Sequence, residues 1–221
     1  MRYYPIYLDL KDRAVLVVGG GLIAEGKAMQ LLDAGAKLRL VSPDLTPHLA
    51  QLAERGEIEY RQRKFEIEDL NGVALVISAT NDPAANGEIA RRAAELGLLF
   101  NVVDQTALCN FITPALVTRG DLQISVSSGG GSPSVVQRVK REIAGLIGEE
   151  YGELLAVAAE MRAEAKRLIP DFEARRKVLH AFAESEAIEL LRAGKREEAR
   201  QLAFELLQQA AGTSRFEGGE R

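Results

Sequence analysis

The chain has 221 residues, 47% hydrophobic and 27% charged, which is enough for one large domain or two modest ones with a real core. No apolar run approaches the roughly 20 residues that span a bilayer, and Met1-Arg2-Tyr3-Tyr4-Pro5 lacks the apolar stretch of a secretory signal, so no membrane partner and a cytoplasmic location are expected. A net charge of −4 argues against general nucleic-acid binding, and the single cysteine, Cys109, excludes an intrachain disulfide and a thiolate-rich metal site, so the expected partner is a small molecule.

In chain order, residues 4–10 alternate enough to predict an edge strand, with Lys11-Asp12-Arg13 as its turn. Strands follow at 14–18, 37–41, 57–60, 73–79 and 98–103, with helices at 23–34, 46–55 and 83–96 between them. Gly35 and Gly97 stand where helix stops are needed. This alternation predicts an α/β fold, a Rossmann-like doubly wound parallel sheet. After Val103 the pattern changes. Thr113-Pro114 breaks the chain, 115–118 and 122–127 read as a hairpin around Arg119-Gly120-Asp121, and helices are predicted at 134–147, 152–168 and 172–183. Two short helices meeting at Ala193-Gly194 follow, and the polar tail from Gly212 is expected to be disordered.

Three segments carry chemistry. In Val17-Val18-Gly19-Gly20-Gly21-Leu22-Ile23-Ala24 an apolar strand runs into a glycine turn and then a helix with Ala24, Ala28, Leu31 and Leu32 on one face. Gly19 suits the tight turn, Gly21 lets backbone approach a phosphate, and Ala24 is small enough for close helix-strand packing, as a dinucleotide site requires. A glycine-rich turn that binds nothing is the alternative. The acid that bonds a ribose hydroxyl is expected about 20 residues on. Asp44 lies near that place, beyond Ser42-Pro43, and no arginine follows the strand closely, which favours NAD over NADP.

The second segment is Ser127-Ser128-Gly129-Gly130-Gly131-Ser132-Pro133, where Ser132 suits an N-cap and Pro133 the first helical position. Loop amides, serine hydroxyls and the following Arg138, Lys140 and Arg141 would favour a carboxylate or phosphate; a flexible capped loop is the bland alternative. The third is Asp104, at the end of an apolar strand where parallel sheets open onto their ligand crevice. It can move a proton there or simply close an Asx turn. His48 and His180 fall in a surface helix and the helical tail, and read as structural or exposed.

In order, Pro5-Ile6-Tyr7-Leu8-Asp9-Leu10, VVGGG-x-x-A-x-x-K at 17–27, Ala79-Thr80-Asn81-Asp82, Asn101-Val102-Val103-Asp104, Phe111-Ile112-Thr113-Pro114-Ala115 and Val126-Ser127-Ser128-Gly129-Gly130-Gly131-Ser132-Pro133 closely resemble the precorrin-2 dehydrogenase family, the dehydrogenase and ferrochelatase module of siroheme synthesis. The resemblance is specific from Tyr4 to about Arg141, and no methyltransferase portion is expected within 221 residues. It implies oxidation of precorrin-2 to sirohydrochlorin with NAD and, in some members, insertion of ferrous iron by a homodimer. With one cysteine and two separated histidines, no preformed protein metal site is expected. Asp104 falls on the catalytic aspartate and Ser128 on the substrate-loop serine, with Gly129, Gly130 and Arg138 beside it. Gly19, Gly21, Leu22, Ile23, Ala24, Pro43, Asp44, Ala79 and Thr80 fall in the dinucleotide site, while Gly26 departs from the arginine usual at its position. The implied division is 1–113 NAD-binding Rossmann domain, 114–148 dimerisation and substrate-loop region, 149–211 helical domain and 212–221 tail. A dehydrogenase for another polycarboxylate, or a dinucleotide-sensing domain without chemistry, would share the first hundred residues.

Overall fold

The computed structural model describes residues 2–217, and the chain divides into two compact units meeting in sequence at Thr113 and Pro114. The first unit is a five-stranded, all-parallel sheet in the order β3-β2-β1-β4-β5, with β1 at Ala14–Val18, β2 at Lys37–Val41, β3 at Glu59–Arg61, β4 at Leu75–Ser78 and β5 at Leu99–Val102. The central strand β1 is apolar at Val15, Leu16, Val17 and Val18 because both of its faces are covered. Val15 and Val17 pack with Ala24, Ala28 and Leu31 of helix α1 (Leu22–Asp33) and Leu49 and Leu52 of α2 (Pro47–Glu54). Leu16 and Val18 pack on the other side with Ile89, Ala90 and Ala93 of α3 (Pro83–Glu95). This is the predicted Rossmann-like sheet.

Residues 4–10 form no strand and are largely exposed, contrary to the predicted edge strand. They pair with neither edge strand of the sheet, β3 or β5. The predicted turn at Lys11-Asp12-Arg13 does form, the Arg13 amide donating to the Leu10 carbonyl and the Asp12 amide to the Gly35 carbonyl, both at 2.9 Å.

The second unit opens with an antiparallel hairpin, β6 (Ala115–Arg119) and β7 (Leu122–Val126), followed by α4 (Pro133–Leu146). Helices α5 (Glu150–Leu168), α6 (Phe172–Ala183), α7 (Ala187–Arg192) and α8 (Arg196–Glu217) enclose a separate core around Met161, Phe182 and Leu207. The last helix was expected to be short, yet it runs 22 residues. Ala199, Ala203 and Leu207 recur every four residues on its buried face, and this i, i+4 stripe extends the helix through packing. It continues past Gly212, where a disordered tail was expected; residues 218–221 lie outside the described residues. Arg119 joins the hairpin to the end of α4, donating to the carbonyls of Ile147 at 2.8 Å and Ala144 at 3.0 Å.

Candidate active site

The carboxyl ends of β1, β2 and β4 open onto a pocket of about 700 Å³ at the point where strand order reverses between β1 and β4. Gly19 leaves β1 at φ 118°, and a Cβ there would lie 2.5 Å from the Ala79 carbonyl oxygen. At Gly20 a Cβ would collide with the Asp44 carbonyl oxygen. The glycine turn is thus pressed between the loops after β2 and β4, with the Gly19 amide donating to Val41 and the Thr46 amide to Gly20, both at 2.9 Å. Gly21 is different. It is the N-cap of α1, no side chain caps the helix, and a Cβ there would meet nothing within 4 Å. First-turn amides without a side-chain cap, beside open space, fit the pyrophosphate of a dinucleotide.

Gly19, Pro43 and Thr80 line the pocket, and Leu22 and Ile23 are exposed on the first turn of α1. Ala24 is fully buried against β1, so its part is packing. Ala79 donates its amide to Val18 at 2.8 Å, which ties the loop after β4 to β1. Asp44 is exposed and, after burial, is the second influence that raises the Tyr60 phenol above its ordinary value; the Tyr60 hydroxyl in turn donates to the Ser42 and Pro43 carbonyls at 3.0 and 3.3 Å.

The far wall of the pocket includes Arg63 and Lys64, although no arginine closely follows β2 in sequence. A search along β2 could not find them. They follow β3, which pairs parallel to β2 and brings the Ser42 amide to the Arg61 carbonyl at 3.3 Å. Arg63 grips the carboxylate of Asp69 with both nitrogens, at 2.7 and 2.8 Å, and Arg61 reaches it at 2.6 Å. Burial pulls the Asp69 carboxyl upward, but the Arg63 guanidinium, the Glu66 amide and the Arg61 guanidinium overrule it and hold it at about 2.

Asp104 stands just past β5, exposed and at φ 60°, a left-handed conformation rare outside glycine. Its surroundings over-determine that turn. Cys109 Sγ accepts from the Val102 amide at 3.2 Å and donates to the Val102 and Gln105 carbonyls, so the lone cysteine clamps the loop as well as packing. Asn110 accepts from the Phe100 amide and donates to the Leu98 carbonyl, both at 2.8 Å, and buried Asn101 donates to Phe111. A group missed by sequence reasoning also belongs here. Burial pulls the half-buried Lys27 ammonium of α1 below its ordinary value, and the Asp104 carboxylate works against that pull. Lys27 had appeared only as the last letter of the glycine motif, and its distance of 77 positions from Asp104 gave no local signal.

In the second unit the Ser128 hydroxyl accepts from the Ser132 amide at 3.0 Å and Ser127 from Gly129 at 3.1 Å, while Ser132 caps α4 and Pro133 is its first residue. Gly129 and Gly130 take φ of 65° and 90°, and the Gly129 and Ser132 amides, expected to face a ligand, are held by Ser127 and Ser128. Arg138 is exposed and pairs with Glu142 at 2.9 Å. His48 pairs with Glu25 at 3.3 Å on the surface, and His180 is exposed.

Family models match three consecutive stretches: NAD(P)-binding over residues 6–115, sirohaem biosynthesis protein central over 119–146, and sirohaem synthase dimerisation region over 150–209. Siroheme synthases of Thioalkalivibrio sulfidiphilus (strain HL-EbGR7) and Pseudomonas aeruginosa (strain UCBPP-PA14) are each 39% identical over 220 residues, covering 100% of this chain. Over its whole length the chain is similar to part of these siroheme synthases. It covers 45% and 47% of those two relatives, so it spans about half the length of the curated relatives it matches. A solved structure titled SirC, precorrin-2 dehydrogenase, matches with a TM-score of 0.78 at 28% identity, over 92% of this chain and 100% of that one. The first unit therefore binds a nicotinamide dinucleotide, in keeping with the glycine cradle. The dimerisation model covers α5 to α8, whereas the sequence reading assigned dimerisation to 114–148.

Proposed function

We propose that this chain oxidises precorrin-2 to sirohydrochlorin with NAD as hydride acceptor, as a homodimer in the cytoplasm. The observation that carries the reading is Asp104, an exposed carboxylate held in a left-handed turn at the carboxyl end of β5, in the unit that carries the dinucleotide cradle. Desaturating the macrocycle breaks a C–H bond whose electron pair departs as hydride, and a proton leaves with it. The nicotinamide ring supplies the hydride-accepting chemistry when bound. The α1 amides and the glycine turn hold the pyrophosphate, and Asp44 with the Ser42-Pro43 backbone holds the ribose end. Asp104 takes the proton on its carboxylate and passes it to solvent, to which it is open. In the second unit Ser128, Gly129, Gly130 and Arg138 bind carboxylates of the substrate, Arg138 by exchanging its Glu142 partner.

The choice of NAD rests on Arg63, whose guanidinium is already engaged by Asp69 and so is not offered to a 2′-phosphate. Ferrous iron and sirohydrochlorin are substrates of a second, chelating step, in which the macrocycle supplies the metal's nitrogen ligands. The division at 113 and 148, with dimerisation and substrate binding in 114–148, belongs to the same reading. The test incubates the protein with precorrin-2 and either NAD or NADP and follows absorbance of the reduced nicotinamide. NADH formation well above the spontaneous rate, with little from NADP, is expected; no precorrin-2-dependent signal would sink the reading. Anaerobic incubation with sirohydrochlorin and ferrous iron, read as siroheme formed above the protein-free rate, tests the chelating step separately.

A further inference from the structure

We infer that Lys27 is a substrate-binding residue, its ammonium anchoring a carboxylate arm of the tetrapyrrole beside Asp104; this rests on the reading of precorrin-2 oxidation above. Lys27 stands at the margin of the α1 face that buries Ala24 and Ala28, and its Nζ donates to the Thr113 hydroxyl at 2.8 Å. An ammonium carries three donors, and a hydroxyl takes one of them without supplying a counter-charge. The other partly buried cations of this unit are matched differently. Arg39, Arg61, Arg63 and Arg92 each have a carboxylate oxygen within 3.0 Å. The carboxylate whose field reaches Lys27 is Asp104, yet among the described residues the two form no ion pair.

A partly desolvated ammonium with a carboxylate near but not in contact gains most from an anion that enters and uses its remaining donors. Precorrin-2 and sirohydrochlorin both carry acetate and propionate arms. With Lys27 holding one arm, Asp104 stays free to take the proton, so the two opposite charges divide binding and chemistry between them. Thr113 fixes the ammonium by tying α1 to the end of the loop that carries Asp104.

The experiment titrates sirohydrochlorin, followed by its absorbance, into wild type, Lys27→Met, Lys27→Arg and Thr113→Val, with NAD titrated in parallel. Lys27→Met is expected to weaken sirohydrochlorin binding about 10-fold or more and to flatten its salt dependence, the usual size for loss of a charge-assisted bond. NAD affinity should stay within about twofold, and Lys27→Arg should recover most of the loss. Unchanged sirohydrochlorin affinity in Lys27→Met overturns the inference, as does an equal loss for sirohydrochlorin and NAD, which would mark a structural lysine. Should Lys27→Met fail to fold, Thr113→Val carries the test, with an expected loss of about threefold for sirohydrochlorin alone; no loss overturns it. A wild type that neither binds sirohydrochlorin nor forms NADH from precorrin-2 overturns the proposed function and Lys27 with it. A fully competent wild type beside an unaffected Lys27→Met overturns Lys27 alone.

Discussion

Asp104 pairs an unusual backbone with an exposed carboxylate, and a single substitution separates the two. Asparagine tolerates φ above zero at least as well as aspartate, so Asp104→Asn should keep the turn and NAD binding while NADH formation from saturating precorrin-2 falls about 10²-fold or more. Near-normal turnover would move the proton-accepting role elsewhere. Neighbouring glycines make a second comparison. A Cβ at Gly20 strikes the Asp44 carbonyl oxygen, whereas one at Gly21 meets nothing. Gly20→Ala should therefore lower stability by about 1–3 kcal/mol, read as a lower melting temperature. Gly21→Asp should melt normally and lose NAD binding by calorimetry, because its carboxylate stands where the pyrophosphate meets the helix amides. A Gly21→Asp protein with wild-type NAD affinity would place the dinucleotide elsewhere.

At the scale of elements, the short strand β3 and the 3-10 turn Ile67–Leu70 are joined by the Arg61–Asp69–Arg63 cluster, which shapes the outer wall of the pocket. Asp69 is fully buried, and its folded value of about 2 lies below the ordinary 3.8. A depressed carboxylate stabilises the fold fully above its unfolded value and loses that contribution as pH falls through its folded value. The window is therefore roughly pH 4 to 2, and the loss is about 2 kcal/mol. In Asp69→Asn that part of the acid dependence should vanish while the protein is about 3 kcal/mol less stable at pH 7, since two guanidinium groups lose their carboxylate. Urea unfolding of both proteins across this range gives the check. Identical acid profiles would mean that other carboxylates dominate.

For the whole molecule, the second unit leaves apolar surface open. Helix α4 has no buried residue, and Val135 and Leu146 are 57% and 75% exposed. A hairpin and one amphipathic helix are too small to bury their own faces. With the dimerisation model over 150–209, this supports a homodimer, and light scattering at low micromolar concentration should return twice the 24.1 kDa of the chain. A monodisperse, active monomer would remove the reading. Charge substitution at Leu146, the more exposed of the two, should shift the balance toward monomer if α4 is covered in the dimer.

Periodicity and turn chemistry were enough for the individual strands, the glycine turn into α1 and the capped start of α4, because each is written in residues a few positions apart. Val15 to Val18 read as a buried strand, and Ser132-Pro133 as a helix start, before any neighbour was placed. Local pattern failed where the deciding partner was distant. Residues 4–10 alternate like a strand but pair with neither edge of the sheet, β3 or β5, and α8 is extended by a stripe on a core built from other helices. Arg63 reached the pocket only through the pairing of β3 with β2, and Lys27 met the field of Asp104 only once α1 and β5 had packed on one sheet. Hydrogen-bonded turns and hydrophobic spacing are written in consecutive residues, whereas the meeting of charges across a sheet depends on strand order, which tertiary packing alone decides.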